Sequence, residues 1–316
     1  MEHAEQMLDL ADDPVQLHRL KAAHGSSTSL TDLLESTGRA ERIRSWSARV
    51  RGNGDAAKNR ELMYSICQEF DLEILKAYFR KECRNHLESA LYTTPGRFFV
   101  KRPLAGMVIY NDDFVQVHYL HRAALQIIPS LSDDMETGIT ITGMDSLVLF
   151  AHTRQVSHQI FPVENDQSAA PILGTALRGT STSGEYLFLE GGKRGMHLLH
   201  GDEPTSMIVC LASQPRHQAT QHFSLKTRQR VGCTAASVTD SRLQLVASAL
   251  AHLPGIDAAQ TLLDLSRHST TFVRWGALRA LYGIDPESAV ARLSEMQETD
   301  PDHEIRALAT RSLEQG

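Results

Sequence analysis

The stretch that decides the fold of the central region is GEYLFLEGGKRGMHLLHGDEP at 184–204, followed directly by TSMIVCLAS at 205–213. Apolar and polar residues alternate on both sides of the glycine-containing turn GGKRG at 191–195, which is typical of β-strands. Similar segments run from Arg97 to about Ala236, separated by turn signals such as NDD at 111–113. No long helical pattern interrupts them, so the sequence predicts a sandwich or closed barrel rather than a parallel α/β sheet.

Both flanks of this region have a helical period instead. DLEILKAYFRKECRNHLESALY at 71–92 carries apolar residues at three- and four-residue spacing. After residue 236 the helical period returns with a repeat, because Arg242, Arg274 and Arg306 are spaced by 32 residues. A fixed period of this size indicates stacked pairs of helices. We therefore predict an α+β chain with an N-terminal helical segment at 1–95, a β domain at 96–236 and a helical stack at 237–316.

Composition excludes several classes of protein. The chain has 316 residues, 41% of them hydrophobic, and a formal net charge of −6. No run approaches the roughly 18 apolar residues that a membrane span needs, and the acidic start lacks a signal-peptide pattern. The mild acidity argues against a general nucleic-acid binder, and the four scattered cysteines against a zinc ribbon or disulfide framework. We predict a cytoplasmic protein that contacts neither membrane nor nucleic acid.

The segment DPDHEIRALATRSL at 300–313 resembles the helix of a HEAT repeat, with Asp-Pro followed by Ile-Arg and then Ala and Leu at helical spacing. The resemblance implies a short helical stack through which a protein partner docks. It also implies that each repeated arginine pairs with an aspartate of a neighbouring repeat. The aspartates available for this are Asp240, Asp285 and Asp302.

Residues 120–212 resemble a cupin, a small double-sheet jelly-roll barrel. Glu136 and Gly143 hold the spacing that ends the first cupin motif, but the two positions where the family has histidine are Ser130 and Ser132. The counterparts of the second motif are Gly184, Gly192 and His197. The resemblance implies a central jelly-roll barrel between the two helical regions.

The departure at the two serines bears on function, because metal cupins use those histidines to hold iron, manganese or zinc. Serine hydroxyls are poor ligands for such ions. The first hypothesis is therefore a cupin-like protein that binds a small molecule beside a degenerate metal site, with either no cofactor or a single divalent metal, iron if one is present. The residues expected to line its cavity are Ser130, Ser132, Glu136 and His197.

Two other hypotheses stay open, and with them the question of whether the chain is an enzyme. The chain has 15 histidines, and His158, Glu164 and Gly174 follow a looser version of the first motif. A non-haem oxygenase resembling cysteine dioxygenases would use His197 with His158 or His152 and a carboxylate. The third hypothesis is an adaptor that acts only through its HEAT-like surface.

The arginine-rich segment GRAERIRSWSARVRG at 38–52 has two interpretations. A basic patch with an aromatic residue can bind an acidic partner, a phosphate or RNA. Such a run is more often a solvated helix face, with Trp46 turned into the core.

Overall fold

The computed structural model describes residues 13–26, 29–52, 54–89, 91–94, 96–101, 104–122, 138–164, 171–199, 204–253 and 257–315. Helices come first, β-strands follow, and helices return at the end, so the predicted α+β class is confirmed. None of the described helices is both long and apolar enough to cross a membrane.

The N-terminal region contains five described helices, several of which start at a side chain that caps the first turn. Ser29 and Asp32 form a reciprocal capping box, while Asp55 and Asp71 accept hydrogen bonds from backbone N–H groups of the helices they precede. The helices are α1 (Pro14–Ser26), α2 (Leu30–Ser36), α3 (Arg39–Ser47), α4 (Ala56–Gln68) and α5 (Leu72–Glu88).

The arginine-rich segment lies mostly in α3, and three of its five arginines are paired with acidic residues of this same region. Arg42 forms two hydrogen bonds with the Glu69 carboxylate, at 2.9 and 2.7 Å, and Arg39 Nη2 lies 2.7 Å from Asp71 Oδ2. Trp46 packs against the buried core beneath the helices. The structure therefore favours the interpretation of this segment as a helix face with an inward tryptophan.

The described strands pair only in antiparallel fashion and form three sheets. The six-stranded sheet has the order β1-β2-β3-β11-β5-β9. In the four-stranded sheet β6 pairs with β7, β8 and β10, and the third sheet has the order β13-β12-β4. The strands are β1 (Arg97–Lys101), β2 (Leu104–Asn111), β3 (Val115–Arg122), β4 (Gly138–Ile141), β5 (Ser146–His152), β6 (Val156–Glu164), β7 (Ile172–Leu173), β8 (Leu177–Ser181), β9 (Tyr186–Leu189), β10 (Arg194–Leu198), β11 (Thr205–Ala212), β12 (Ala219–Ser224) and β13 (Arg230–Ala235).

The sheets are stacked because each strand alternates its side chains between two faces. One face of the six-stranded sheet packs against α2–α5, with Val117, Leu149 and Ile208 in that core. Its other face packs against β6 and β10 through a second apolar cluster that includes Phe150 and Met207. The opposite face of β6 packs in turn against β4 and β12.

No closed barrel is detected among the strands that the structure describes, and the β domain consists of facing sheets, one of the two forms that the sequence predicts. The tight turn between β9 and β10 carries the chain from one sheet to the other, since β9 pairs with β5 whereas β10 pairs with β6. Because the hydrogen-bond ladder is not continued across this turn, the layers form a sandwich. Gly192 occupies the turn with a φ of 76°.

One buried carboxylate connects the N-terminal helices to the β domain. Asp145, which is 0% exposed, accepts two hydrogen bonds from Arg216, at 2.8 and 2.6 Å, and one each from Asn59 and the Gly191 N–H, both at 2.9 Å. Burial on its own would raise the pKa of Asp145, but these hydrogen bonds outweigh it and lower the pKa. The carboxylate is thus held ionised between three segments of the chain.

The C-terminal region is a stack of helices around its own apolar core, which includes Ala277, Leu281 and Met296. Small residues allow the helices to approach closely, as the repeat pattern predicts. The helices are α6 (Val238–Leu250), α7 (Ala258–Leu265), α8 (Thr271–Ile284), α9 (Pro286–Thr299) and α10 (His303–Gln315).

Candidate functional site

The predicted cavity residues Ser130, Ser132 and Glu136 belong to segment 123–137, which lies outside the described residues. The prediction that they line a cavity in the β domain therefore stays a prediction. The three histidines predicted as metal ligands are described, and each has different surroundings.

His158 on β6 lies inside the sandwich and is 4% exposed. Its ring stacks on Phe150, with centroids 6.0 Å apart and planes at 13°, and its Nε2 lies 3.1 Å from Ser181 Oγ. Gly179 on the neighbouring strand makes room for the ring, because a Cβ atom there would lie 2.7 Å from Cε1. Burial lowers the pKa of His158, and the nearby charge of Glu185 opposes this only in part. The imidazole is therefore neutral at neutral pH.

His197 on β10 lies on the opposite face of the same sheet. It is paired with Gln159, whereas Leu198 is paired with His158. Directly opposed residues of an antiparallel pair share a face, so His197 and His158 face away from each other. Gly195, which shares the face of His197, packs against strand β4 of the third sheet.

His152 ends β5 and is exposed. It is paired with Ser206 at an irregularity of the ladder between Ser206 and Met207. Ser206 Oγ lies 3.0 Å from His121 Nδ1 and accepts a hydrogen bond from Tyr119 Oη at 2.9 Å. Burial lowers the pKa of His121, with a smaller electrostatic contribution from His152. The structure does not bring His152 together with His158.

The described residues do not fit a cupin metal centre. Among them, no three His, Cys, Asp or Glu side chains converge on a metal-sized site. Glu164, the carboxylate of the looser motif, is exposed at the end of β6. A metal site of three such ligands would therefore need at least one residue from outside the described part of the chain, such as Glu136 of the first cupin motif.

A large cleft lies between the β domain and the helical stack, with a volume of about 1110 Å³. Its β-domain wall consists of β12, β13 and the loop before them, and its other wall consists of α8 and the start of α10. Clefts of this size between two structural units are frequent binding sites. The side chains used below are Arg216, His217, Arg230, Arg279, Trp275, Asp302, Glu304 and Arg306.

Two direct contacts join the walls of the cleft. Arg230 Nη2 on β13 lies 3.0 Å from both carboxylate oxygens of Glu304 on α10. Gln218 Oε1 accepts a hydrogen bond from the Thr271 N–H at 3.4 Å, at the first residue of α8. The two walls are thereby connected at both helices that line the cleft.

The wall beside His217 is fixed by backbone contacts. A Cβ atom at Gly192 would lie 2.6 Å from His217 Cβ, and a Cβ atom at Gly143 would overlap the carbonyl oxygen of His217. His217 N also donates a hydrogen bond to the Gly143 carbonyl, at 3.0 Å. Because neither glycine has room for a Cβ atom, the backbone of this wall is closely packed at His217.

The lining of the cleft is basic although the whole chain is acidic. It holds five arginines and two carboxylates. Arg279 is exposed, and among the described residues no carboxylate lies within ion-pair distance of it. Arg306 bonds to a main-chain carbonyl, that of Asp300, rather than to a carboxylate. Arg279 and Arg306 therefore give the cleft positive charge that its own carboxylates do not pair.

The repeated arginine of α8 is a structural residue. Arg274 is 4% exposed, and its Nε and Nη2 donate to the Asp300 carboxylate at 3.0 and 2.7 Å. Its Nη1 donates to the carbonyls of His268 and Ser269. The prediction of an aspartate partner is right in kind but wrong in identity, because the carboxylate that Arg274 reaches is that of Asp300.

The three aspartates proposed as partners have other roles. Asp240 accepts from Thr270 Oγ1, Asp302 accepts from Thr271 Oγ1, and Asp285 caps α9. Arg274 and Arg306 share one feature, since each donates to the carbonyl of the residue six positions earlier. The spacing of 32 residues thus reflects a repeated helix start.

Sequence reasoning missed the cleft itself. Arg230 and Glu304 are 74 positions apart and belong to different patterns, one to a strand and one to a repeat. The spacing of 32 residues between Arg274 and Arg306 did identify α8 and α10 as related helices. Nothing in either pattern indicated that β13 lies across from them.

Comparison with known families confirms the C-terminal resemblance, because the family model of HEAT repeats matches residues 240–314. No curated protein matches the chain by sequence at a significant level.

Among solved structures, the chain is similar to several cupin domains. The Drosophila melanogaster CENP-C cupin domain is 9% identical, with a TM-score of 0.27, over 38% of this chain and 77% of that one. An RmlC-like cupin from Shewanella frigidimarina is 6% identical, with a TM-score of 0.25, over 38% and 86%. An RmlC-like cupin from Methanocaldococcus jannaschii is 9% identical, with a TM-score of 0.24, over 40% and 94%. We base the fold on the strand pairing described above.

Proposed function

We propose that the chain is a binding protein whose cleft receives an extended acidic segment of a partner protein. The observation that carries this proposal is the basic lining of the cleft in a chain of net charge −6. Clefts lined by one sign of charge attract ligands of the opposite sign. HEAT-type stacks commonly present such extended surfaces to proteins.

Arg279 and Arg306 are the groups we expect to contact the carboxylates of the partner. Both are on the helical wall, and Trp275 lies in the same lining. The indole is only partly buried in the core of the stack. It offers apolar area and a fluorescence signal close to the bound segment.

The test uses a fluorescein-labelled glutamate-rich peptide of twelve residues, with a lysine-rich peptide of equal length as the control ligand. We expect saturable binding of the acidic peptide, measured by fluorescence anisotropy, that weakens as salt is added. Arg279→Glu is expected to weaken binding about tenfold or more, because it reverses an exposed charge in the lining.

Arg242→Glu is the matched control variant, since Arg242 is the exposed repeat arginine of α6 and is not part of the lining. It should bind the peptide like the unchanged protein. Equal binding of both peptides, or equal effects of the two substitutions, would contradict the proposal.

Three further predictions from the sequence are still to be tested: a small-molecule site, a metal-dependent oxygenase activity and a cytoplasmic location. A small molecule in the β domain depends on Ser130, Ser132, Glu136 and His197. A metal-dependent oxygenase depends on His197 with His158 or His152 and a carboxylate, and elemental analysis of the purified protein tests it. A cytoplasmic location remains a prediction that cell fractionation tests.

A further inference from the structure

Buried polar atoms without hydrogen-bond partners lie together at one end of the six-stranded sheet. Arg122 is the last residue of β3 and is 3% exposed, and Thr205 is the first residue of β11 and is 1% exposed. The two are register partners, so their side chains share a face. Among the described residues, neither Arg122 Nε nor Thr205 Oγ1 has a hydrogen-bond partner.

A third such atom lies just past the end of β5, the next strand along the sheet. Thr153 directly follows His152, which is paired with Ser206. Because β5 and β11 are antiparallel, Thr153 lies level with Thr205. Thr153 is 7% exposed, and its Oγ1 also has no partner in the described part of the chain. One guanidinium and two hydroxyl groups thus follow each other across three strands.

The facing sheet approaches this row at the end of β10. Arg122 Nη1 donates to the Leu199 carbonyl at 2.7 Å, so the guanidinium reaches across the sandwich. Leu199 N in turn donates to the carbonyl of Ser157, the residue before His158. The buried Nδ1 of His158 has no partner among the described residues either. The space between the sheets is therefore polar at this end, whereas Phe150 and Met207 make it apolar further in.

The chemistry of this group of atoms indicates what it binds. A buried guanidinium is stable when a planar anion accepts its N–H groups, and buried hydroxyl groups need an acceptor for their protons. Burial without a carboxylate also lowers the pKa of Arg122, which an anion would reverse. Water alone would satisfy the hydroxyl groups but would leave the charge unpaired.

We propose that this end of the sandwich binds a small carboxylate or other oxyanion, held by Arg122 Nε and by the hydroxyl groups of Thr153 and Thr205. The site is separate from the cleft, and the two do not share a residue. It gives the β domain a ligand chemistry that does not require a metal ligand.

The test is the thermal unfolding of the full chain in sodium acetate and in sodium phosphate, with sodium chloride at matched ionic strength as the control. We expect a saturable rise of the Tm with at least one of the two oxyanions, because a ligand that binds only the folded state stabilises it. Acetate alone indicates a carboxylate site, and phosphate indicates a wider oxyanion site. No rise above the chloride control with either anion would overturn the proposal.

The variants Thr205→Val and Thr153→Val make the test specific, since each removes one hydroxyl group at nearly constant volume. We expect either change to weaken anion binding about tenfold. Without anion the variants should be as stable as the unchanged protein or more so, because the hydroxyl lost is one without a partner. Thr140→Val, at an exposed position of β4, is the control and should keep full affinity. Unchanged affinity in both of the first two variants would overturn the proposal.

Discussion

Two arginines that are buried to the same degree, Arg122 in the β domain and Arg274 in the helical stack, differ in how their guanidinium groups are satisfied. Arg274 donates to both oxygens of Asp300 and to two carbonyl groups. Arg122 has one carbonyl acceptor, that of Leu199, and an Nε without a partner among the described residues. The first is a completed structural pair, and the second is an incomplete set of contacts.

The difference teaches how to separate structural from ligand-binding charges in this molecule. Removing one partner of a completed buried pair leaves a charge behind, which is costly. Removing a buried charge that has no counter-charge relieves desolvation and costs little. The sensitivity of stability to substitution should therefore differ strongly between the two sites.

The largest effect is expected for Arg274→Met. It leaves Asp300, with a side chain only 1% exposed, without its counter-charge. The free energy of unfolding should fall by about 3–5 kcal/mol, as measured by urea denaturation. The control Arg242→Met changes the exposed arginine of the same repeat position and should stay within about 0.5 kcal/mol. A loss of unfolding free energy for Arg274→Met as small as that for Arg242→Met would contradict the proposed difference between Arg274 and Arg122.

A smaller loss is expected for Asp145→Asn, which tests a buried pair inside the β domain. The amide no longer offers two acceptor oxygens to Arg216, whose side chain is 18% exposed and therefore partly solvated. We expect a loss of about 2–3 kcal/mol in urea denaturation. Asp113→Asn, an exposed neighbouring aspartate, serves as the control. If both changes lower the free energy of unfolding equally, the hydrogen bonds of Asp145 to Asn59, Gly191 and Arg216 do not stabilise the fold.

Arg122→Met should cost less than about 1 kcal/mol in the absence of anions, because the hydrogen bond to Leu199 is the one that Arg122 makes with the described residues. Urea denaturation in chloride buffer, side by side with Arg274→Met, measures the contrast directly. A loss as large as that of Arg274→Met would show that Arg122 is a structural residue and would break the comparison.

The smallest effect is a pH dependence from His158. Its pKa is lowered in the folded state by burial, against a usual value of 6.5. The unfolded chain therefore binds more protons below pH 6.5, and stability is lost as the pH falls from there through the folded pKa. Melting curves between pH 8 and pH 5 should show a falling Tm that is less steep in His158→Phe. An equal slope in the variant would assign the effect to other groups, such as His118 and His121, whose pKa values burial also lowers.

Regular patterns predicted the architecture well. The period-two segments correspond to strands, and the spacing of 32 residues identified helices α8 and α10 of the stack. Both signals are local, since they depend only on which side chains face the core. The strand pattern left open whether the sheets face each other or close into a barrel, because ladder continuity depends on which strands pair across the turn at Gly192.

The sites were much harder to predict, because they depend on register. His158 and His197 are both in strands, but only the pairing of β6 with β10 shows that they occupy opposite faces. Arg122 and Thr205 are adjacent only through the pairing of β3 with β11. The sequence shows that these residues are polar, while their lack of partners is a property of the packed layers.

The close backbone contacts behind His217 have a mechanical consequence for the cleft. Since neither Gly143 nor Gly192 has room for a Cβ atom beside His217, the β-domain wall is closely packed and rigid at this point. The opposing wall is formed by α8 and α10. It is joined to the β-domain wall through the partly exposed Arg230–Glu304 ion pair. A partner that needs a wider cleft must therefore displace the helical wall. A carboxylate that competes with Glu304 for Arg230 is the chemical group suited to break this ion pair.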